Sequence, residues 1–164
     1  MKPAILVIDV QTAFFHLPAT IKSLERASWY INTAIALFRE KQLPVICIQH
    51  MNPDEGFGPE DEEFGVHKDL NILDSDPHIL KTYGNAFNKT DLHKILGELG
   101  VDTLIITGFM AENCVLSTYR GAKDLDYTPI ILRDSIISHT LESEKFVEKI
   151  SEIISMAALS KLLN

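Results

Sequence analysis

The chain is 164 residues long, 46% hydrophobic, and carries 23 Asp and Glu against 15 Lys and Arg, for a net charge of −8. That length fits one domain, residues 1–164, able to bury about 70% of its unfolded surface; the acidic balance, with no stripe of Lys or Arg, excludes nucleic acid and anionic membrane surfaces as partners. Two cysteines in different predicted elements fit neither a disulfide framework nor a metal knuckle, and no stretch approaches the ~20 apolar residues of a membrane span, so a cytoplasmic setting is expected.

Residues 4–8, Ala-Ile-Leu-Val-Ile, form a continuous apolar run of strand length, as expected where a parallel sheet is covered on both faces. The run is too short for the apolar part of a secretion signal, and Asp9 closes it. Residues 11–18 read as an aromatic-rich loop in which Gln11, Phe14 and Phe15 are candidates for the wall of a substrate pocket. Successive side chains do not both face inward, so one of the two phenylalanines is expected to cover the core instead. From 21 to 41, Leu24, Ala27, Ile31, Ile35 and Phe38 recur at helical spacing, with Trp29 and Tyr30 beside that stripe.

Pro44 introduces a second strand, residues 45–48, in which Cys47 is read as inert packing. Residues 52–76 form a long polar loop with Gly56, Gly58, Pro59 and the acidic run 60–63; loops of that length are usually functional. Residues 78–81 read as a short third strand that brings Lys81 to the edge occupied by Asp9. A turn and cap at 85–91 lead into a helix marked by Leu92, Ile95, Leu96 and Leu99 and stopped by Gly100.

Residues 101–106 then read as a buried strand, Gly108 as a sharp exit from it, and 111–125 as a helix with Cys114 in its first turn. Free N–H groups and the positive end of a helix dipole favour a thiolate there. A free cysteine is ordinarily a small buried hydrophobe. Here Asp9 and Lys81 stand at two other strand ends, and a thiol, a carboxylate and an ammonium on one rim are costly to assemble for packing alone. Farther on, 129–132 is a fifth strand with Arg133 and Asp134 at its end, 143–155 a last long helix, and 156–159 a short edge strand. This alternation implies an α/β fold, a doubly wound, mostly parallel three-layer sandwich that binds ligands outside the carboxyl ends of its strands. No glycine-rich dinucleotide or phosphate loop follows any strand, and no cofactor is expected.

Three segments, Leu6-Val-Ile-Asp-Val-Gln11, Lys81-Thr-Tyr-Gly-Asn-Ala-Phe87 and residues 108–115, resemble in order and spacing the isochorismatase-like cysteine hydrolases, which include nicotinamidases, N-carbamoyl amidohydrolases and isochorismatases. The resemblance implies a Rossmann-like sheet in the order 3-2-1-4-5-6 and a catalytic triad of Asp9, Lys81 and Cys114. It implies an oxyanion hole built from the backbone N–H groups of Met110 and Cys114, a cis peptide between Phe109 and Met110, a small-molecule substrate, and a homo-oligomer, dimer or tetramer. Nicotinamidases follow the second strand with Gln-Asp-Trp-His-Pro, whose Asp and His bind a divalent metal. This chain has Gln49-His50-Met51-Asn52-Pro53, so no metal is expected, and His50, His67 and His78 are read as surface or capping residues. Asp126-Tyr127 stands where the family has Gly-Tyr, a change expected to touch only a helix end; Ser135 stands where it more often has Ala.

The expected reaction is hydrolysis of an amide or related C–N bond. Asp9 takes the thiol proton, Lys81 and the helix N-terminus lower the thiol pKa, Cys114 attacks the carbonyl, and water clears the thioester. Three other readings compete. A receiver domain would need a phosphorylatable Asp at the third strand end, where this chain has Lys81. A vinyl-ether hydrolase of the isochorismatase type would use Asp9 as general acid without the thiol. A non-catalytic small-molecule binding protein would have no unusually reactive thiol.

Overall fold

The computed structural model describes residues 1–164. Its strands are β1 (Pro3–Ile8), β2 (Val45–His50), β3 (His78–Lys81), β4 (Thr103–Phe109), β5 (Thr128–Ile137) and β6 (Ile153–Ile154). They form one sheet in the order β3-β2-β1-β4-β5-β6, and every pairing is parallel. All carboxyl ends therefore share one rim. The winding reverses between β1 and β4, which makes the ends of those two strands the switch point where such sheets bind ligands.

The helices are α1 (Pro18–Glu40), α2 (Leu92–Glu98), α3 (Leu116–Asp124), α4 (Leu141–Lys149) and α5 (Met156–Leu163). Pro18 at the first turn of α1 has its φ preset and lacks an N–H that would otherwise go unpaired. Leu24, Ala27, Ile31, Ile35 and Phe38, the apolar stripe of the sequence, pack with Ile5 and Val7 of β1 and Leu159 of α5 on one face of the sheet. Ala4, Leu6 and Ile8 point the other way, toward Leu92 and Leu96 of α2, Ala122 of α3 and Val147 of α4. A fully buried side chain of Ile or Phe size is worth about 1.5–3 kcal/mol, so both faces of β1 anchor the sheet. No helix is long and apolar enough to cross a membrane.

Several boundaries differ from those read in the sequence. β2 runs two residues farther, to His50, because it pairs with β3 up to Lys81. β4 continues through Gly108 to Phe109, so Gly108 lies inside a strand rather than at its exit. β5 runs through Arg133 and Asp134 to Ile137, with Asp134 at φ 64 and a register shift against β4 between Ile106 and Gly108. The long helix expected over 143–155 is replaced by α4, β6 and α5. Ile153 and Ile154 pair with Ile131 and Leu132. Residues 156–159, expected as a strand, open α5, because Ser155 caps it through Ala158 N–H and Met, Ala and Leu favour helix. At the end of α3, Asp126 takes the left-handed backbone (φ 63) that glycine adopts most readily.

The long loop after β2 folds back over its own chain. Val66 bridges Gln11, Thr12 N–H donates to Gly65 O at 3.0 Å, Ala13 N–H to Glu63 O at 3.0 Å, and His67 N–H to Val10 O at 2.8 Å.

Candidate active site

Asp9 follows the last residue of β1 with φ 52, a left-handed backbone that Asp tolerates better than most residues, and its N–H donates to Ile48 O at 2.8 Å. Such positions are kept where the surroundings demand them and cluster at functional sites. The Asp9 side chain is 2% exposed, and its Oδ2 lies 2.7 Å from Nζ of Lys81, the last residue of β3, whose side chain is 0% exposed. The same Nζ lies 3.3 Å from Cys114 Sγ and 3.3 Å from His50 Nδ1. The ion pair is the shortest of the three contacts, and Lys81 and Cys114 both act on the carboxylate through hydrogen bonding as well as charge, though no other group donates to either Asp9 oxygen. A buried carboxylate in that state keeps its lone pairs available for a proton.

Cys114 sits in a π-helical turn, Ala111–Val115, rather than in the first turn of an α-helix. Val115 N–H donates to Met110 O across five residues at 3.3 Å. The turn is tied to the end of β5 by Ser138 Oγ, which lies 2.9 Å and 2.7 Å from the two carboxylate oxygens of Glu112. The Phe109–Met110 peptide is cis. Met110, between β4 and the turn, donates no backbone hydrogen bond to another backbone group. The segment after Lys81 braces α3 from behind: Ala86 N–H donates to Thr118 Oγ1 at 3.0 Å, and Asn85 packs on Gly121.

The electrostatics differ from the expected depressed thiol. Burial, then the Asp9 carboxylate, push the half-buried Cys114 thiol up to about 11, more than the Lys81 ammonium pulls it down. Burial likewise raises Asp9 against the pull of Lys81. Two acids raised together keep the thiol protonated at rest and make Asp9 a better acceptor for its proton. Cys47 is buried within β2, and burial pushes its thiol up to about 12, consistent with inert packing.

His50 is the residue the sequence reading missed. The sequence reads it as a surface or capping residue, whereas the extra length of β2 places it opposite Lys81 on the rim. The signal available was its position directly after Gln49, where the resemblance to nicotinamidases places an Asp. Gln11 is not a pocket wall. It is fully buried and grips His50, its Nε2 donating to His50 O at 3.0 Å and its Oε1 accepting from His50 N–H at 2.7 Å. Phe15 is also removed from the wall, being buried against Phe109 and His67. Phe14 is the phenylalanine that lines a cavity, about 320 Å³, together with His16, Leu17, Phe109, Met110 and His139. Of the predicted site residues, the 320 Å³ cavity includes Phe14, Phe109 and Met110 but not Asp9, Lys81 or Cys114; a larger cavity of about 780 Å³, against Trp29, Arg133 and Met156, includes none of them.

Donor atoms of Asp9, His50 and Cys114 lie within 4.8 Å of one another, a spacing that could suit a metal. The Lys81 ammonium is already within 3.3 Å of all three residues, and Asn52 pairs with Phe57 through its backbone. The residues present therefore do not fit a divalent ion, because a fixed cation holds the donors that would bind it.

The isochorismatase domain model matches residues 3–153. Isochorismatase family protein YddQ of Bacillus subtilis is 30% identical over 148 residues, covering 88% of this chain and 82% of that protein. An Arabidopsis thaliana protein named "Probable inactive nicotinamidase" is 36% identical over 161 residues, covering 85% and 82%. The crystal structure of an isochorismatase-like hydrolase from Alkaliphilus metalliredigens shares the fold with a TM-score of 0.89 at 22% identity, over 100% of both chains. With its sheet order and nearly its whole length matched in this way, the chain belongs to the isochorismatase family of hydrolases.

Proposed function

We propose that the chain is a cysteine-dependent hydrolase that cleaves an amide or related C–N bond of a small, uncharged molecule through a thioester. The observation that carries this reading is the buried Lys81 ammonium in contact with both the Asp9 carboxylate and the Cys114 sulfur. A thiol titrating near 11 is ionised in roughly one molecule in ten thousand at neutral pH, so a base must take its proton during attack.

Asp9 is that base. The sulfur attacks the carbonyl carbon as the thiol proton passes to Asp9, and Lys81 balances the charge that moves. The tetrahedral oxyanion is received by the N–H groups of Met110 and Cys114, each such donor being typically worth ~3 kcal/mol. As the C–N bond breaks, Asp9 returns the proton to the leaving nitrogen. Water then adds to the thioester, losing a proton to Asp9, and the proton goes back to sulfur as the acid leaves.

The cavity argues for an uncharged substrate. No lysine or arginine lines the part beside Phe14 and Met110, where His16 Nε2 lies 3.0 Å from Glu63 Oε2, and the Lys81 ammonium is already paired with Asp9; Lys22 and Arg26 line the neighbouring hollow beyond His139. Phe14, stacked on Phe109 at 5.5 Å, offers an aromatic wall. An anionic substrate would find no unpaired cation beside Phe14 and Met110, which favours an uncharged group at the reacting end.

The test is intact-mass spectrometry after incubation with amide, carbamoyl and ureido compounds. The expected result is an acyl or carbamoyl adduct on Cys114 that is absent from Cys114→Ala. Turnover retained by Cys114→Ala would move the reading to general acid catalysis by Asp9. A second reading, a binding protein with a vestigial site, is favoured by the name of the Arabidopsis relative; ligand binding without adduct or turnover would select it.

A further inference from the structure

We propose that His50 is a positioning residue of this centre: its neutral imidazole accepts one hydrogen of the Lys81 ammonium through Nδ1 and so holds that ammonium between Asp9 and Cys114. The proposal deepens the cysteine-hydrolase reading and rests on it.

An ammonium carries three N–H donors and no acceptor. In a side chain that is fully buried, each donor left without a partner is costly, because no water replaces it. Around Lys81 Nζ stand three acceptors: Asp9 Oδ2 at 2.7 Å, Cys114 Sγ at 3.3 Å and His50 Nδ1 at 3.3 Å. Asp9 attracts the ammonium by charge as well as contact, whereas His50 and Cys114 accept from it in well-directed hydrogen bonds. His50 is thus one of two groups that set the direction of the ammonium.

The geometry also sets the tautomer. A nitrogen facing an ammonium must offer its lone pair, so Nδ1 is bare and the ring proton sits on Nε2. The ring cannot drift away, because His50 ends β2 opposite Lys81 and Gln11 grips its peptide on both edges. This gives the buried Gln11 its purpose: it places His50, which places Lys81.

The charged and titratable groups facing the ring are Lys81 from β3, Asp9 from the end of β1 and Cys114 from the π turn. Protonating Nδ1 would remove the acceptor and set a second cation 3.3 Å from the first. Burial and Lys81 both hold the imidazole below its usual range. The arrangement therefore stays intact at neutral pH and breaks on the acid side.

The experiment compares native protein, His50→Asn and His50→Leu by the rate of Cys114 alkylation with iodoacetamide across acid and neutral pH, read by intact mass. Asn can present an oxygen near the place of Nδ1 but cannot titrate. The expected outcome is a break on the acid side of the native profile that His50→Asn lacks, with its neutral reactivity within about threefold of native. His50→Leu, which offers no acceptor, should lose more than about threefold at neutral pH, the rate equivalent of one modest hydrogen bond.

Leu reactivity within that limit, or an acid-side break that persists in Asn, overturns the role of His50. If His50→Leu does not fold, the His50→Asn profile decides alone. Native Cys114 reacting no faster than Cys47 is a different failure, since it removes the cysteine-hydrolase reading itself.

Discussion

Gly108 approaches β1 so closely that a Cβ built on it would stand 2.1 Å from the carbonyl oxygen of Ile8 and 2.6 Å from its nitrogen. These two residues directly precede the parts of the chain that carry the site: Ile8 leads into Asp9, and Gly108 into the cis Phe109–Met110 peptide. With φ +113, Gly108 also holds a backbone conformation that a side chain rarely adopts.

Gly108→Ala should therefore be among the most damaging single-methyl additions in the chain. The obstructing atoms are backbone atoms of a central strand and cannot rotate away. A loss of at least about 3 kcal/mol in urea unfolding is expected. A loss under about 1 kcal/mol would mean that β1 and β4 can part locally without cost to the fold.

The alkylation of Cys114 should accelerate steeply with pH. Its thiol is raised, so the thiolate becomes abundant only as the pH nears about 11, and each unit above neutrality should raise the iodoacetamide rate about tenfold. Cys47, buried and pushed to about 12, should remain nearly unlabelled. A rate already flat between neutral and mildly alkaline pH would show a preformed thiolate, and the assignment of Asp9 as the base would fall with it.

Asp9→Asn and Lys81→Met should fail in different ways. The amide fills the space of the carboxylate but can neither take the thiol proton nor return it to the leaving nitrogen, so turnover should disappear at every pH. Removing the Lys81 charge takes away the one influence that lowers the Cys114 pKa, so the thiol should titrate still higher and part of the activity should return in alkali. Near-native turnover by Asp9→Asn, or an unchanged thiol titration in Lys81→Met, would separate the three residues into unrelated groups.

Charge selectivity of the cleft can be read with two alkylating agents of similar size. Iodoacetamide should outpace iodoacetate at Cys114 by about tenfold more than it does with a free thiol in solution, since the carboxylate would arrive beside Asp9, whose charge Lys81 already pairs. Equal preference in protein and solution would place a compensating positive group in the cleft.

Much of this architecture was legible in local pattern. The apolar runs at residues 4–8 and 101–106, the helical stripe from Leu24 to Phe38 and the ionisable residues ending three strands require only that side chains repeat with the period of their element. Once the elements alternate, their parallel winding brings Asp9, Lys81 and Cys114 to one rim whatever the details of the loops. The details that escaped are those fixed by contact between distant segments. The last two residues of β2, which carry His50 to the site, are ordered by pairing with β3, and β6 exists because Ile153 and Ile154 find Ile131 and Leu132. The π turn at Cys114 and the burial of Gln11 likewise depend on partners remote in sequence, Glu112 with Ser138 and Gln11 with His50. The state of the thiol depends on the tertiary structure most of all. A helix start and a nearby lysine both argue for a thiolate. Cys114 instead lies in a π turn, and desolvation by the packed surroundings, together with a carboxylate across the rim, outweighs the pull of Lys81; none of these exists until the chain has folded.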